Sequence, residues 1–200
     1  MSEQEVWQDR YQTGNTPWET GRPDLNLTCT VLNRPILPCR AIDIGCGTGI
    51  SAIWLAHKGF TVTGADISET AVQKARENAA DSGVKCDFFT ADFQEQTITG
   101  APFEFAFDRG CFHSFKSDEG KKQFAENLAN HLGKDGLWLS LSGNADDIPS
   151  EVGPPRISAR DIVVAVEPWF EIISLTASYF DSNQPVSPRA WVCLMRKRDH

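Results

Sequence analysis

Ala41-Ile42-Asp43-Ile44-Gly45-Cys46-Gly47-Thr48-Gly49 is an apolar run with one charge in it, followed at once by glycines at every second position. Arg40 to Ile44 reads as a buried strand and Gly45 to Gly49 as a turn, after which Ile50, Ile53, Trp54 and His57 keep helical spacing up to a stop at Gly59. The unit then repeats. Phe60 to Ala65 is a second strand, and Ser68 is placed to cap a helix whose inner face is Ala71, Val72, Ala75 and Ala79. Val84 to Phe89 and Phe103 to Phe107 supply two more strands; Phe124, Leu128 and Leu132 mark a helix closed by Gly133, and Leu137 to Leu141 is a fifth strand. Ser158-x-x-Asp161 opens a helix stopped by Pro168, and Phe170 to Tyr179 and Ala190 to Met195 follow with no helix between them. This order predicts an α/β chain: a three-layer α/β/α sandwich on a doubly wound, mostly parallel, seven-stranded Rossmann-like sheet that ends in an antiparallel hairpin.

The chain has 200 residues and is 40% hydrophobic, enough for one domain over 1–200, with 1–35 expected to form an N-terminal cap. Nineteen basic against 27 acidic residues give a net charge of −8, which excludes a broad footprint for nucleic-acid phosphates and favours a small-molecule partner. No apolar run is long enough to span a bilayer, and Met1-Ser2-Glu3-Gln4-Glu5 is acidic where a secretory signal needs a basic start, so a cytoplasmic protein is expected, monomeric or weakly dimeric. Six cysteines with no C-x-x-C pair predict reduced thiols and no metal site.

Doubly wound sheets bind ligands at the carboxyl ends of their strands, where this chain places Asp43, Asp66, Asp92 and Asp108. Ser68 is the better helix cap, which leaves Asp66, 19 residues past Gly47, to accept hydrogen bonds from a ribose diol. Gly47-x-Gly49-x-x-Ala52 also matches a dinucleotide fingerprint, so an NAD(P)-dependent oxidoreductase is a competing reading. Asp43 argues against it, because a carboxylate two residues before the first glycine repels a diphosphate and welcomes an adenosine with a cationic tail. Neither of the two tyrosines has a nearby lysine for a proton relay.

With Gly64-Ala65-Asp66-Ile67-Ser68 and Thr90-Ala91-Asp92-Phe93, the glycine stretch resembles the motifs of class I S-adenosylmethionine-dependent methyltransferases. The resemblance implies S-adenosyl-L-methionine as cofactor, with Asp66 on the ribose, Asp92 on the adenine amino group, Phe93 or Ile67 against the ring, and Asp43, Gly45, Gly47 and Gly49 around the methionine end. Trp7, Tyr11 and Trp18, together with Asp108-Arg109-Gly110 after the fourth strand, resemble the thiopurine, halide/thiol and tellurite methyltransferases. That resemblance implies an aromatic N-terminal lid over the cofactor and Arg109 at the pocket of a small methyl acceptor, here expected to be a thiol, another chalcogen or a halide; a carboxylate or amine is the alternative. Asp108, also expected at the cofactor, and Arg109 join His113, a candidate general base, as candidate catalytic residues, with Phe112 and Phe115 as walls. The N/D-P-P-Y/F motif of enzymes that methylate adenine or glutamine amides is replaced by Asp108-Arg109-Gly110-Cys111, which disfavours nucleic-acid amino groups. Cys111-Phe112-His113 and the Gly143 to Ile157 loop, with Gly153-Pro154-Pro155-Arg156, depart from the family where acceptors are chosen.

Overall fold

A computed structural model describes residues 2–34, 36–148 and 154–199; Gly153 of the expected specificity loop lies outside them. The elements are α1 (Glu3–Thr13), α2 (Leu25–Asn33), β1 (Arg40–Ile44), α3 (Ile50–His57), β2 (Thr61–Asp66), α4 (Glu69–Asp81), β3 (Cys86–Thr90), β4 (Phe103–Arg109), α5 (Asp118–His131), β5 (Leu132–Asn144), β6 (Arg156–Ile157), α6 (Ala159–Val166), β7 (Phe170–Tyr179) and β8 (Arg189–Lys197). The sheet order is β3-β2-β1-β4-β5-β8-β7, with β1 to β5 parallel and β8 antiparallel to both its neighbours. β1 and β4 flank the point where the winding reverses, which opens a crevice at their carboxyl ends.

Alternation along the strands sorts the core into two layers. Ile42, Ile44, Ala106 and Trp138 pack with Phe124 and Leu128 of α5 and Ile162 and Val166 of α6. Ala41, Phe105, Phe107, Leu139 and Leu141 face the other way, onto Leu27 of α2, Ala52 and Leu55 of α3 and Val72 and Ala75 of α4. Caps fix the helix starts: Ser68 Oγ accepts from the Ala71 N–H, and Ser158 and Asp161 form a reciprocal capping box. Helix α1 lies on α4 through Gln8, whose Oε1 accepts from Ser68 Oγ and the Thr70 N–H.

Two expectations need correction. Gly133 does not close α5, because the helix ends at His131 and Leu132 enters β5 directly. The register then jumps from Phe103↔Leu132 to Phe105↔Leu137, so the left-handed residue is Asp135 (φ 58°), in the intervening bulge. The second correction is an eighth strand: β6 pairs with Gly143 and Asn144, and the Ala145 N–H donates to the Ile157 carbonyl. The last pair is the expected antiparallel hairpin, with β7 on the sheet edge. No helix among the described residues is long and apolar enough to cross a membrane.

Gly64 of β2 pairs with Asp43, and a Cβ there would lie 2.5 Å from the buried ring of Phe88. Gly64→Ala is therefore expected to destabilise the fold by about 1–3 kcal/mol through overpacking. Chemical denaturation checks this, and an unchanged midpoint would show that the ring has room to move.

Candidate active site

The turn after β1 holds Gly45, Gly47 and Gly49 at positive φ (67°, 54° and 81°). Gly45 and Cys46 donate backbone N–H bonds to the Ala65 carbonyl, which closes β1 against β2. Asp66 pins the turn: one carboxylate oxygen accepts from the Gly47 N–H and the other from the Ser68 N–H, each at 2.9 Å. Ser68 is the α4 cap as expected, yet it does not leave Asp66 free of local structure. A Cβ on Gly47 would stand 2.6 Å from Glu19 Oε1 and 2.7 Å from the Tyr11 hydroxyl, so only glycine fits beneath the N-terminal segment.

A cavity of about 390 Å³ opens over this turn. It brings together Trp7, Tyr11, Trp18, Asp43, Gly45, Gly47, Asp66, Ile67, Asp92, Phe93, Arg109 and His113 from the expected set. Gly49 is not on its wall; it sits against Ala75 and Phe88. Asp108 also stands behind the wall, where its carboxylate accepts from the Phe112 N–H (3.0 Å) and Trp138 Nε1–H (2.9 Å). Phe112 follows Asp108 into the core, its 3₁₀ turn (residues 112–114) turning the ring onto Phe124 and Trp138, so it is no wall of the cavity; Phe115 is.

Burial dominates the acid chemistry. It raises the Asp43 carboxyl to about 8 against a hydrogen bond from the Ala52 backbone, and Asp66, Asp108 and Glu19 add like charge. Asp66 rises to about 6, held down by the Ser68 and Gly47 N–H groups. Asp43 Oδ2 is buried without a hydrogen-bond partner among the described residues. An unpartnered carboxylate oxygen beside a bare backbone turn suits a ligand with a cationic end, and Asp66 and Asp92 border the same space. The residues therefore fit the expected cofactor.

The N-terminal segment closes the cavity through a network that only the fold assembles. Trp18 Nε1–H donates to the Tyr11 hydroxyl (3.0 Å), which donates to Glu19 (3.3 Å), and Glu19 accepts from the Thr48 N–H (3.2 Å) and hydroxyl (2.6 Å). The Arg10 guanidinium lies over the rings of Trp7 and Trp18 at 5.7 and 5.0 Å and has no ion pair among the described residues. Arg109 is committed: Nε donates to Asp24, Nη1 to the Trp18 carbonyl and Nη2 to the Asp181 carbonyl. Asp24, capping α2, also accepts from the Asp181 N–H, while the Asp181 carboxylate pairs with Arg22 at 2.5 Å. His113 Nδ1 accepts the Gly143 N–H at 2.7 Å, and burial, with help from Arg109, pushes its pKa down to about 3. Neither fact suits the expected proton-accepting role. Arg10, Glu19 and Thr48 were missed from sequence; Arg10 follows Trp7 by three residues on α1, a helical spacing that signals a shared face.

Residues 41–136 match the family described as "Methyltransferase domain". The chain is similar to thiocyanate methyltransferase 1 of Brassica oleracea, 31% identical over 84% of this chain and 75% of that one. It is also similar to the probable thiol methyltransferase 2 of Arabidopsis thaliana, at 28% over 92% and 79%. Its fold matches the magnesium protoporphyrin IX methyltransferase of Synechocystis PCC 6803, solved with bound S-adenosylmethionine, at a TM-score of 0.74 and 17% identity over 99% and 98% of the chains.

The Asp43 shift has a stability consequence. A carboxyl raised from 3.8 to about 8 is protonated in both states at low pH, and folding increasingly resists its ionisation as pH rises between those values. Asp43→Asn, with no charge to bury, is therefore expected to match the wild type near pH 4 and to gain on it up to pH 8, by at most about 1.4 kcal/mol per unit. Thermal melts across that range check the sign; a constant difference would mean that Asp43 ionises freely.

Proposed function

The chain belongs to the S-adenosylmethionine-dependent methyltransferases, and we propose that the acceptor it methylates is a small soft nucleophile, a thiol, another chalcogen or a halide, taken in the cavity beneath the N-terminal segment. The likeness to enzymes named for thiol and thiocyanate methylation, running over most of the chain, carries this reading. When bound, the cofactor supplies a methyl group activated on a sulfonium sulfur.

The chain's own residues bind, orient and exclude water. Asp66 takes the ribose hydroxyls and Asp92 the adenine amino group, with Ile67 and Phe93 flanking the base. Gly45, Gly47 and Asp43 receive the methionine end, where the unpartnered Asp43 oxygen meets an ammonium. Gly49 and Asp108 hold the turn and the loop after β4 from behind. Trp7, Tyr11 and Trp18 form the lid of the 1–35 segment and keep the reacting centre dry, which favours a displacement that disperses charge. Arg109 braces lid, β4 and the β7–β8 loop, and Arg10, with no ion pair among the described residues, draws an anionic acceptor to the aromatic wall.

Turnover on a panel of thiols, thiocyanate, iodide, selenite, tellurite, carboxylates and amines tests the reading; methylation confined to carboxylates or amines refutes it. Asp66→Ala is expected to weaken S-adenosylhomocysteine binding at least about tenfold by calorimetry, and unchanged affinity would remove Asp66 from the cofactor site. Arg10→Ala is expected to raise KM for anionic acceptors roughly tenfold and to leave S-adenosylhomocysteine affinity nearly unchanged. The opposite split would assign Arg10 to the cofactor's carboxylate.

A further inference from the structure

We propose that His113 positions the methyl acceptor as a hydrogen-bond donor through Nε2–H, and that the acceptor enters the cavity already ionised. This rests on reading the cavity as the acceptor site. The geometry begins with the 3₁₀ turn (residues 112–114), fixed by the Ser114 N–H on the Cys111 carbonyl (3.0 Å) and by Ser114 Oγ–H on the Gly110 carbonyl (2.8 Å). The turn delivers His113 Nδ1 to the Gly143 N–H of β5 at 2.7 Å. An N–H can donate only to a bare nitrogen lone pair, so the neutral ring carries its proton on Nε2.

Nε2 lies above Gly110, 3.1 Å from where a Cβ would stand, and the ring borders the cavity. No hydrogen bond to Nε2 occurs among the described residues. The charged group bearing on the ring is Arg109 of β4; Phe180, after β7, meets it edge to face at 6.2 Å, and β5 presents the Gly143 backbone. Protonating Nδ1 would break the Gly143 bond and set an imidazolium beside a guanidinium, in accord with the pKa pushed down to about 3. His113 thus has a proton to share and no lone pair to offer.

This matters to the balance of the reaction. An anionic acceptor uses a lone pair to bond the methyl carbon, the carbon–sulfonium bond breaks onto sulfur, and both products leave neutral with no proton released. A neutral thiol would also have to shed a proton. Of the cavity acids, Glu19 is engaged by Thr48 and Tyr11, Asp24 by Arg109 and Asp181, Asp181 by Arg22 and Asp66 by the glycine turn, while Asp43, with its unpartnered oxygen, and Asp92 are assigned to the cofactor's ammonium and adenine amino group. The preferred acceptors are then soft nucleophiles already ionised near neutral pH, such as acidic aromatic thiols and pseudohalide anions, over alkyl thiols and amines.

The test has two arms. ¹⁵N spectra of histidine-labelled wild-type protein are expected to show His113 as the Nε2–H tautomer without titration from pH 5 to 9, and an Nδ1–H tautomer or a midpoint near neutrality overturns the proposal whatever the acceptor proves to be. In the second arm, a thiol series of graded acidity is expected to give kcat/KM profiles whose rising limb moves with each thiol's own pKa; a limb fixed near neutrality for every thiol overturns it. His113→Asn can still receive the Gly143 N–H on Oδ1, but its shorter amide places no donor at the Nε2 position, and it is expected to lose roughly tenfold to a hundredfold in kcat/KM without moving the limb. His113→Gln restores a donor and is expected to recover part of that loss, whereas full activity in His113→Asn contradicts a positioning role. If no soft nucleophile is methylated, the acceptor assignment fails while the spectra still decide the state of His113.

Discussion

The hydrogen bond from the Gly47 N–H to Asp66 is the constraint on which the rest of the site depends. It joins the turn after β1 to the end of β2, and through Ser68 to the start of α4, so one carboxylate sets the relative position of three segments. Because the turn is bare backbone, Tyr11 and Glu19 can settle onto it, and Thr48 then anchors Glu19. Cofactor floor and N-terminal cover are therefore parts of one hydrogen-bonded unit.

A second hub governs the far side of the cavity. Asp24 caps α2 and also receives Arg109 and the Asp181 N–H, which draws the N-terminal segment, β4 and the β7–β8 connection to one point. Its charge is matched by Arg109, and that of Asp181 by Arg22. With these two arginines spent on structure, Arg10 on its indole faces and the Nε2–H of His113 are donors on the cavity wall that can meet an acceptor. The buried acids Asp43 and Asp66 gather under the glycine turn, and elsewhere on the lining the acids Asp24 and Asp181 are matched by arginines while Arg10 and His113 offer donors, a division of charge that suits a cationic methyl donor and an anionic acceptor.

Much of this was legible in the sequence because it is local. Arg40 to Ile44, the glycines, the Ser68 cap and the acids at strand ends are set by periodicity and turn chemistry, and they reappear within a residue or two. Gly133 misled because its meaning depended on a bulge in the pairing of β4 with β5, a nonlocal matter. The same holds for side chains whose roles turn on distant partners. Asp108 reads like Asp66 as a strand-end acid, yet it is claimed by Trp138 from the next strand. Arg109 is spent on Asp24, 85 residues earlier, and His113 is fixed by Gly143, 30 residues later. No spacing rule reaches across such intervals, which is why the wall of the cavity was harder to read than its floor.

The central claim is the placement of an anionic acceptor inside this divided cavity. Anomalous diffraction from crystals grown with S-adenosylhomocysteine and iodide tests it most directly. The account predicts an iodide peak within the cavity, in contact with His113 Nε2 and on the side bordered by Arg10 and Arg109. Iodide confined to the outer surface, or seated over the glycine turn beside Asp43, would contradict it.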